Sequence, residues 1–275
     1  MKDFKNKNVF VPGGSTGIGL AIAKELACLG SDVIIFARRK EKLQQAVKEI
    51  SQCCKAEQKI SFMQLDVSDN SEVNQKMTQA VNSFGVPDLL INCAGRSIPR
   101  YFEDISHEQF DETMKINLYG IFNAVSCLVP YMKEQGGYIV NVSSVAGFVG
   151  VFGLTDYCAS KYAIIGFSEA LKSELRKYNI AVSVLCPPDT DTPGFKNENI
   201  TKPEETKEIS AKAKLMQPAH VAKVLVKAMQ KKRFMIIPGF DGRLAFLLKR
   251  LFPSVIEFIM NIAIKKIEKE KLNNK

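Results

Sequence analysis

The sequence is poor in the residues that build metal sites, disulfide frames and charge-relay hydrolases. Its 275 residues hold two histidines, His107 and His220, and seven cysteines (Cys28, Cys53, Cys54, Cys93, Cys127, Cys158 and Cys186) that are scattered and form no CxxC pair. Neither a zinc site nor a disulfide frame is expected from that pattern, and a reducing compartment is. The N-terminal segment is apolar for only a few positions before Pro12 and Gly13, too short for a secretory signal. A long hydrophobic run is missing as well. Residues 243–264 are rich in Leu, Ile and Phe but are interrupted by Lys249, Arg250, Pro253, Glu257 and Asn261, whereas a spanning helix needs about 20 apolar residues.

Charge is what the chain has in surplus. Lys and Arg number 38 against 29 Asp and Glu, a net of +9, while 46% hydrophobic and 24% charged residues are ordinary globular proportions. Residues 231–275 carry 11 basic and 4 acidic side chains, so a net of +7 sits in the tail and the first 230 residues are nearly neutral. No aromatic stacking platform or separate basic face accompanies the charge, so nucleic acid is not an expected partner.

Short apolar or β-branched runs at 8–11, 32–36, 60–65, 88–91, 138–142, 180–185 and 234–237 read as strands. Segments 17–29, 40–52, 70–84, 107–133, 157–178 and 218–230 carry apolar residues at helical spacing. Strands alternating with helices imply parallel strands joined by right-handed crossovers. The strands are almost continuously apolar, as required when helices cover both faces of a sheet. The expected fold is therefore α/β, a Rossmann-type doubly wound parallel sheet of about seven strands in a single domain spanning 1–240. Residues 189–216 break the rhythm with turn residues and a weak helix, and are expected to form a substrate lid. Residues 241–275 read as an amphipathic helical tail, suited to an anionic membrane interface, a dimer contact or a cover for the sheet edge.

Gly13-Gly14-Ser15-Thr16-Gly17-Ile18-Gly19 follows the first strand and opens the first helix. There, glycines let the backbone approach a pyrophosphate whose charge meets the helix N-terminus. Gly13, Ser15 and Gly17 also fit a serine nucleophile elbow, but that chemistry needs an acid and then a histidine downstream. His107 and His220 each stand at a helix start, where solvation is the simpler reading. At the end of the second strand an NAD-selective fold carries an acid for the adenosine ribose; Arg38-Arg39-Lys40-Glu41-Lys42 stands there instead. Cations at that position attract a 2′-phosphate, pointing to NADPH with Arg38 and Lys42 as phosphate ligands.

Tyr157 and Lys161, four residues apart, share one helix face. An ammonium beside a phenol, whose ordinary pKa is near ~10, is expected to lower it and fit the tyrosine for proton transfer. Ser144 lies 13 residues earlier at the end of the fifth strand, placed to hydrogen-bond a carbonyl oxygen, with Ser143 as the alternative. Asn117 lies in the helix before that strand.

Joined to Asp66-Val67, Asn92-Cys93-Ala94-Gly95, Asn117, Ser143-Ser144, Tyr157-Cys-Ala-Ser-Lys161 and Pro187 to Thr192, the glycine loop makes residues 6–240 resemble the short-chain dehydrogenase/reductases. The resemblance implies that Asp66 and Val67 contact the adenine and that Asn92, Ala94 and Gly95 line the cofactor cleft. It further implies that Lys161 holds the nicotinamide ribose, that Asn117 keeps a water for the proton relay, and that Pro187, Thr190 and Thr192 adjoin the cofactor. Pro12, Cys93 and Pro188 depart from the family's usual Thr, Asn and Gly and remove no catalytic group. Residues 187–195 and 198–206, with Ser144-Val-Ala-Gly147 and Gly150-Val-Phe-Gly153, look like the branch of the family that reduces 3-ketodihydrosphingosine with NADPH. That resemblance implies a long-chain sphingoid ketone as substrate. Because such ketones reside in bilayers, it also implies a peripheral position on the cytosolic side of a membrane, the endoplasmic reticulum in a eukaryote. Animal members carry a hydrophobic N-terminal segment without counterpart here, so a different anchoring is expected. A 3-oxoacyl thioester or a steroid as substrate, a non-catalytic binding role, and assembly as a homodimer or homotetramer remain open alternatives.

Overall fold

The apolar runs form seven strands in the computed structural model, which describes residues 3–54, 57–211 and 214–273. They are β1 (Asn8–Pro12), β2 (Asp32–Ala37), β3 (Ile60–Gln64), β4 (Leu89–Asn92), β5 (Gly137–Val142), β6 (Ile180–Leu185) and β7 (Met235–Ile236). The helices are α1 (Gly17–Cys28), α2 (Lys40–Ser51), α3 (Asn70–Phe84), α4 (His107–Met114), α5 (Gly120–Gln135), α6 (Thr155–Leu175), α7 (Pro193–Thr201), α8 (Glu204–Ala211), α9 (Pro218–Gln230), α10 (Phe240–Leu251) and α11 (Pro253–Asn273). Residues 212–213 of the expected lid and 274–275 of the tail lie outside the described residues.

All strand pairs are parallel, in the order β3-β2-β1-β4-β5-β6-β7. The winding direction reverses between β1 and β4, so the loops leaving their C-terminal ends diverge and open a crevice. One core cluster joins the sheet to α1, α2 and α9 through Ile22, Leu26, Leu43, Ile50 and Leu225; the other joins it to α3, α5 and α6 through Val73, Met77, Leu128 and Ile164. Local chemistry sets the helix starts. Asp69 accepts from the Glu72 amide at 2.9 Å, and Ser106 with Gln109 forms a reciprocal capping box.

Three expectations change, and for the tail one of the open alternatives, a cover for the sheet edge, is realised. The helix read at 107–133 is two helices joined by a π turn at Lys115–Tyr119, which carries Asn117. The lid holds two helices, α7 and α8, rather than one weak one, because Thr192 caps α7 through the Phe195 amide at 3.0 Å and Pro193 starts it. Cys28 and Cys53 form a disulfide with Cα atoms 5.3 Å apart, since adjacent packing of α1 and α2 brings the ends of both helices together. Cysteine usage therefore carries no argument for a reducing compartment. Finally, the tail is a helix pair that covers the β6 and β7 end of the sheet, with Phe246 edge-on to Phe148 at 5.1 Å and Ile256 buried among Val184 and Ile237. The opposite faces of α10 and α11 remain bare. Among the described residues, no helix is long and apolar enough to cross a membrane.

Candidate active site

The glycine loop lies at the β1 side of the crevice and is shaped by backbone contact. Gly13 has φ +80°, and a Cβ there would stand 2.4 Å from the Ala94 amide nitrogen. A Cβ on Gly19 would stand 2.2 Å from the Gly13 carbonyl oxygen. Only hydrogen fits at either place, so helix α1 starts directly beneath the turn. Its N-cap, Thr16, makes no side-chain cap bond, and the first turn holds no acid. The amides of the first turn are left for an anion, which fits the pyrophosphate of a dinucleotide. Ser15 is buried in the same turn, with Ile18 partly buried behind it. Both histidines are exposed at the first turns of α4 and α9, so Ser15 has no relay partner.

Arg38 emerges at the end of β2, 64% exposed, with Nη1 3.7 Å from Asp66 Oδ2; Lys42 is exposed on α2. Asp66 also accepts from the Ser68 amide and hydroxyl, at 3.0 and 2.7 Å, while buried Val67 packs over Gly120. The loop after β4 brings Ala94 against Gly13 and Gly95 to within reach of Asn117 and Lys161. Asn92 departs from its expected place in the cleft. Its Nδ2 donates to Asn141 Oδ1 at 2.8 Å, and Asn141 Nδ2 donates to Ser168 Oγ at 2.9 Å, so the side chain faces inward and ties β4 and β5 to α6.

Helix α6 carries the reducing pair. Lys161 is buried, donates from Nζ to the Val142 carbonyl at 2.9 Å and lies 5.5 Å from the Tyr157 ring centroid. Burial lowers its pKa to about 8. The expectation that Lys161 brings the Tyr157 phenol down is not met. The phenol is raised, first by burial and then by the Glu198 carboxylate, because desolvation penalises a phenolate and a nearby anion opposes it. Ser144 is the serine within hydrogen-bonding reach of Tyr157. Ser143, held as the alternative, turns away and donates to the Lys161 carbonyl at 2.8 Å in the interior. Successive residues leaving a strand point to opposite sides, which separates the two. Asn117 is fully engaged: its Oδ1 accepts from the Arg96 amide at 2.8 Å and its Nδ2 donates to the Arg96 carbonyl and Ser160 Oγ at 3.0 and 2.9 Å. It braces the β4 loop against α6 inside the π turn, a distortion frequent at functional sites.

The lid closes the third side. Pro187 accepts from the Val145 amide at 3.1 Å, Thr190 bonds back to the Pro188 carbonyl at 2.7 Å, and Thr192 approaches within 3.1 Å of where a Gly17 Cβ would stand. Thr206 donates to the Phe152 carbonyl at 2.8 Å, and buried Glu205 meets Lys271 of α11 at 2.6 Å and the Tyr101 hydroxyl at 3.1 Å. The tail thus spends cations on the lid: Lys266 also meets Glu208 at 3.0 Å. The lid brings in two acids absent from the sequence-based set, Glu198 and Asp189. Glu198 is raised to about 7, chiefly by burial, with the Asp189 carboxylate raising it further and the Lys202 and Lys161 ammoniums opposing the shift. Its position in the unusual run 187–206 was the one signal available.

A family model described as short chain dehydrogenase matches residues 7–203. The chain belongs to the short-chain dehydrogenase family. Its relatives include the 3-dehydrosphinganine reductase of Danio rerio, 42% identical over 238 residues that cover 86% of this chain and 72% of that one. The 3-ketodihydrosphingosine reductase of Dictyostelium discoideum is 40% identical over 242 residues, 82% of this chain and 72% of its own. Among solved structures, a short-chain dehydrogenase/reductase from Burkholderia phymatum in complex with NAD superposes with a TM-score of 0.80 and 25% identity, covering 94% of this chain and 96% of that one. As a short-chain dehydrogenase, the chain has its Ser144, Tyr157 and Lys161 gathered under the lid at the switch-point crevice.

Proposed function

We propose that the protein reduces 3-ketodihydrosphingosine to sphinganine with NADPH, at a membrane surface. The observation that carries the substrate is the 42% identity to a 3-dehydrosphinganine reductase over 86% of the chain. The glycine loop, Asp66, Val67 and Lys161 would hold a reduced nicotinamide dinucleotide, which would supply the hydride when bound. The hydroxyls of Ser144 and Tyr157 donate to the ketone oxygen, and Tyr157 gives up its proton as charge grows there. A phenol raised above its ordinary pKa suits this direction, since it stays protonated until the oxyanion forms. Lys161 orients the tyrosine and, with Asn117, borders the path by which the proton is replaced. The direct test is NADPH oxidation with 3-ketodihydrosphingosine in lipid vesicles. Turnover is expected for the parent, and Tyr157→Phe should abolish it with NADPH affinity unchanged; turnover in that variant refutes the assignment.

The preference for NADPH rests on Arg38 and Lys42 in place of an acid. Arg38→Asp should invert the ratio of kcat/KM for NADPH over NADH, and an unchanged ratio removes the argument. The membrane contact is supported by the bare face of the tail: Phe240, Leu247, Leu251, Phe252, Phe258 and Ile259 are exposed, with exposed Arg250 and Lys265 on the same two helices, while Lys249 is paired with Glu257 at 3.4 Å. Single exposed apolar residues are ordinary, but a row flanked by cations suits an anionic bilayer interface. Charge reversal of Arg250 and Lys265 should cost vesicle co-sedimentation; unchanged binding counts against a tail contact.

A further inference from the structure

Both backbone polar groups of Tyr157 are held by side chains that lead to one segment of the chain. The Tyr157 amide lies in the first turn of α6, where amides lack partners within the helix, and the N-cap residue, Leu154, makes no side-chain bond. Gly153, four residues before Tyr157, gives its carbonyl to the Arg100 amide at 2.8 Å instead. Asp156 fills the gap. Its Oδ1 accepts from the Tyr157 amide at 2.8 Å, and its Oδ2 accepts from the Thr113 hydroxyl at 2.7 Å. On the carbonyl side, Ser160 Oγ donates to the Tyr157 carbonyl at 2.7 Å and accepts from Asn117 Nδ2 at 2.9 Å. Thr113 belongs to α4 and Asn117 to the π turn that follows it, so a single segment grips Tyr157 through its amide and through its carbonyl. Resting on the proton-donor role proposed above for Tyr157, we infer that Asp156 is a positioning residue for the reduction. With Thr113 it fixes the turn from which the Tyr157 hydroxyl reaches the ketone.

Packing alone does not call for a carboxylate here. Asp156 and Thr113 are each 1% exposed, and Asp156 makes no ion pair among the described residues. Burying an acid on those terms is costly, even with the N-terminal end of α6 offsetting part of its charge. What the acid supplies is two acceptors at one place. An apolar side chain would leave the Tyr157 amide without a partner and unlink α4 from α6. Helix ends are where fraying occurs, and Tyr157 is the third residue of α6. Proton transfer requires its hydroxyl at hydrogen-bond distance from the developing oxyanion, and a displacement of about 1 Å costs on the order of 100-fold in rate.

The test measures kcat, KM and NADPH affinity of the full chain with 3-ketodihydrosphingosine in vesicles. Asp156→Ala removes both acceptors and is expected to lower kcat by about 10- to 100-fold, with NADPH affinity within about threefold because the glycine loop is untouched. Asp156→Asn should bring kcat back to within about threefold of the parent, since its oxygen accepts from the Tyr157 amide and its nitrogen donates to Thr113. The Thr113 hydroxyl then turns to the Gln109 carbonyl, which already lies 3.0 Å away. Thr113→Val cuts the same bridge from α4 while keeping the shape of the side chain, and it serves where Asp156→Ala does not fold. It too should lower kcat and spare NADPH affinity. A parent-like kcat in Asp156→Ala or Thr113→Val, a loss that Asp156→Asn does not reverse, or a fall in NADPH affinity that matches the fall in kcat overturns the inference. Each of these leaves the reductase reading in place. No turnover by the parent, or turnover by Tyr157→Phe, refutes that reading, and the inference falls with it.

Discussion

Glu198 offers a measurement that needs no substrate. Its folded-state pKa of about 7 against a reference of 4.5 means that the folded chain holds a proton the unfolded chain has already released. Below pH 4.5 both states are protonated and the group contributes nothing to the difference. Between 4.5 and about 7 the native state binds more protons, so stability falls as pH rises, and above 7 the penalty is complete. The gap at 1.36 kcal/mol per pH unit is about 3 kcal/mol. That is a ceiling, because the charged carboxylate also helps to hold Lys161 ionised, and the benefit vanishes with it. For a chain of this size about 3 kcal/mol corresponds to roughly 6 °C in Tm. Calorimetry of the cofactor-free protein and of Glu198→Gln from pH 5 to 8 reads the difference directly. The variant should melt with the parent at pH 5 and several degrees above it at pH 8. The subtraction cancels groups common to both. Parallel melting curves across the range would mean that Glu198 ionises as a solvated carboxylate, and the electrostatic picture of the lid would be wrong.

The two serines should separate by assay. Ser144→Ala is expected to lower kcat by 100-fold or more with an unchanged Tm, since one oxyanion donor is worth about that much. Ser143→Ala should lower Tm by the equivalent of about 1–3 kcal/mol, the cost of a buried hydrogen bond left open at the Lys161 carbonyl. Gly19→Ala should abolish dinucleotide binding in a titration, because its Cβ meets the Gly13 carbonyl at 2.2 Å and that contact is backbone. Lys271→Met strips buried Glu205 of its cation while the Tyr101 hydroxyl remains, and is expected to raise KM more than it lowers kcat, the lid being loosened and the reducing pair untouched. Burial alone would raise Glu205, but hydrogen bonds from Lys271 and Tyr101 hold it low, so acidification should weaken the same latch.

Much of the core was readable from local pattern. A strand covered on both faces must be apolar throughout, and a crossover helix must be apolar on one stripe, so β6 (Ile180–Leu185), α3 (Asn70–Phe84) and α9 (Pro218–Gln230) fall where periodicity puts them. The glycine loop and the Tyr157–Lys161 pair were equally legible, because turn sterics and four-residue helical spacing are local rules. The π turn at Asn117 was not, since the apolar stripe continues through it. The second lid helix was missed because its polar surface carries little periodicity; α8 is held by Thr206, Glu205 and α11, all distant in the chain.

By itself the sequence determined the fold class, the loop that receives a phosphate and the side chains able to reduce a ketone, since each follows from spacing along one element. Which serine faces Tyr157, where the phenol's pKa settles and which cations of the tail are free were decided by the tertiary structure. Those properties depend on burial and on charges brought together from segments far apart. Glu198 is 41 residues from Tyr157, and Lys271 is 66 residues from Glu205. A pKa records desolvation and Coulomb energy at a point in space, and no periodicity along the chain carries either quantity.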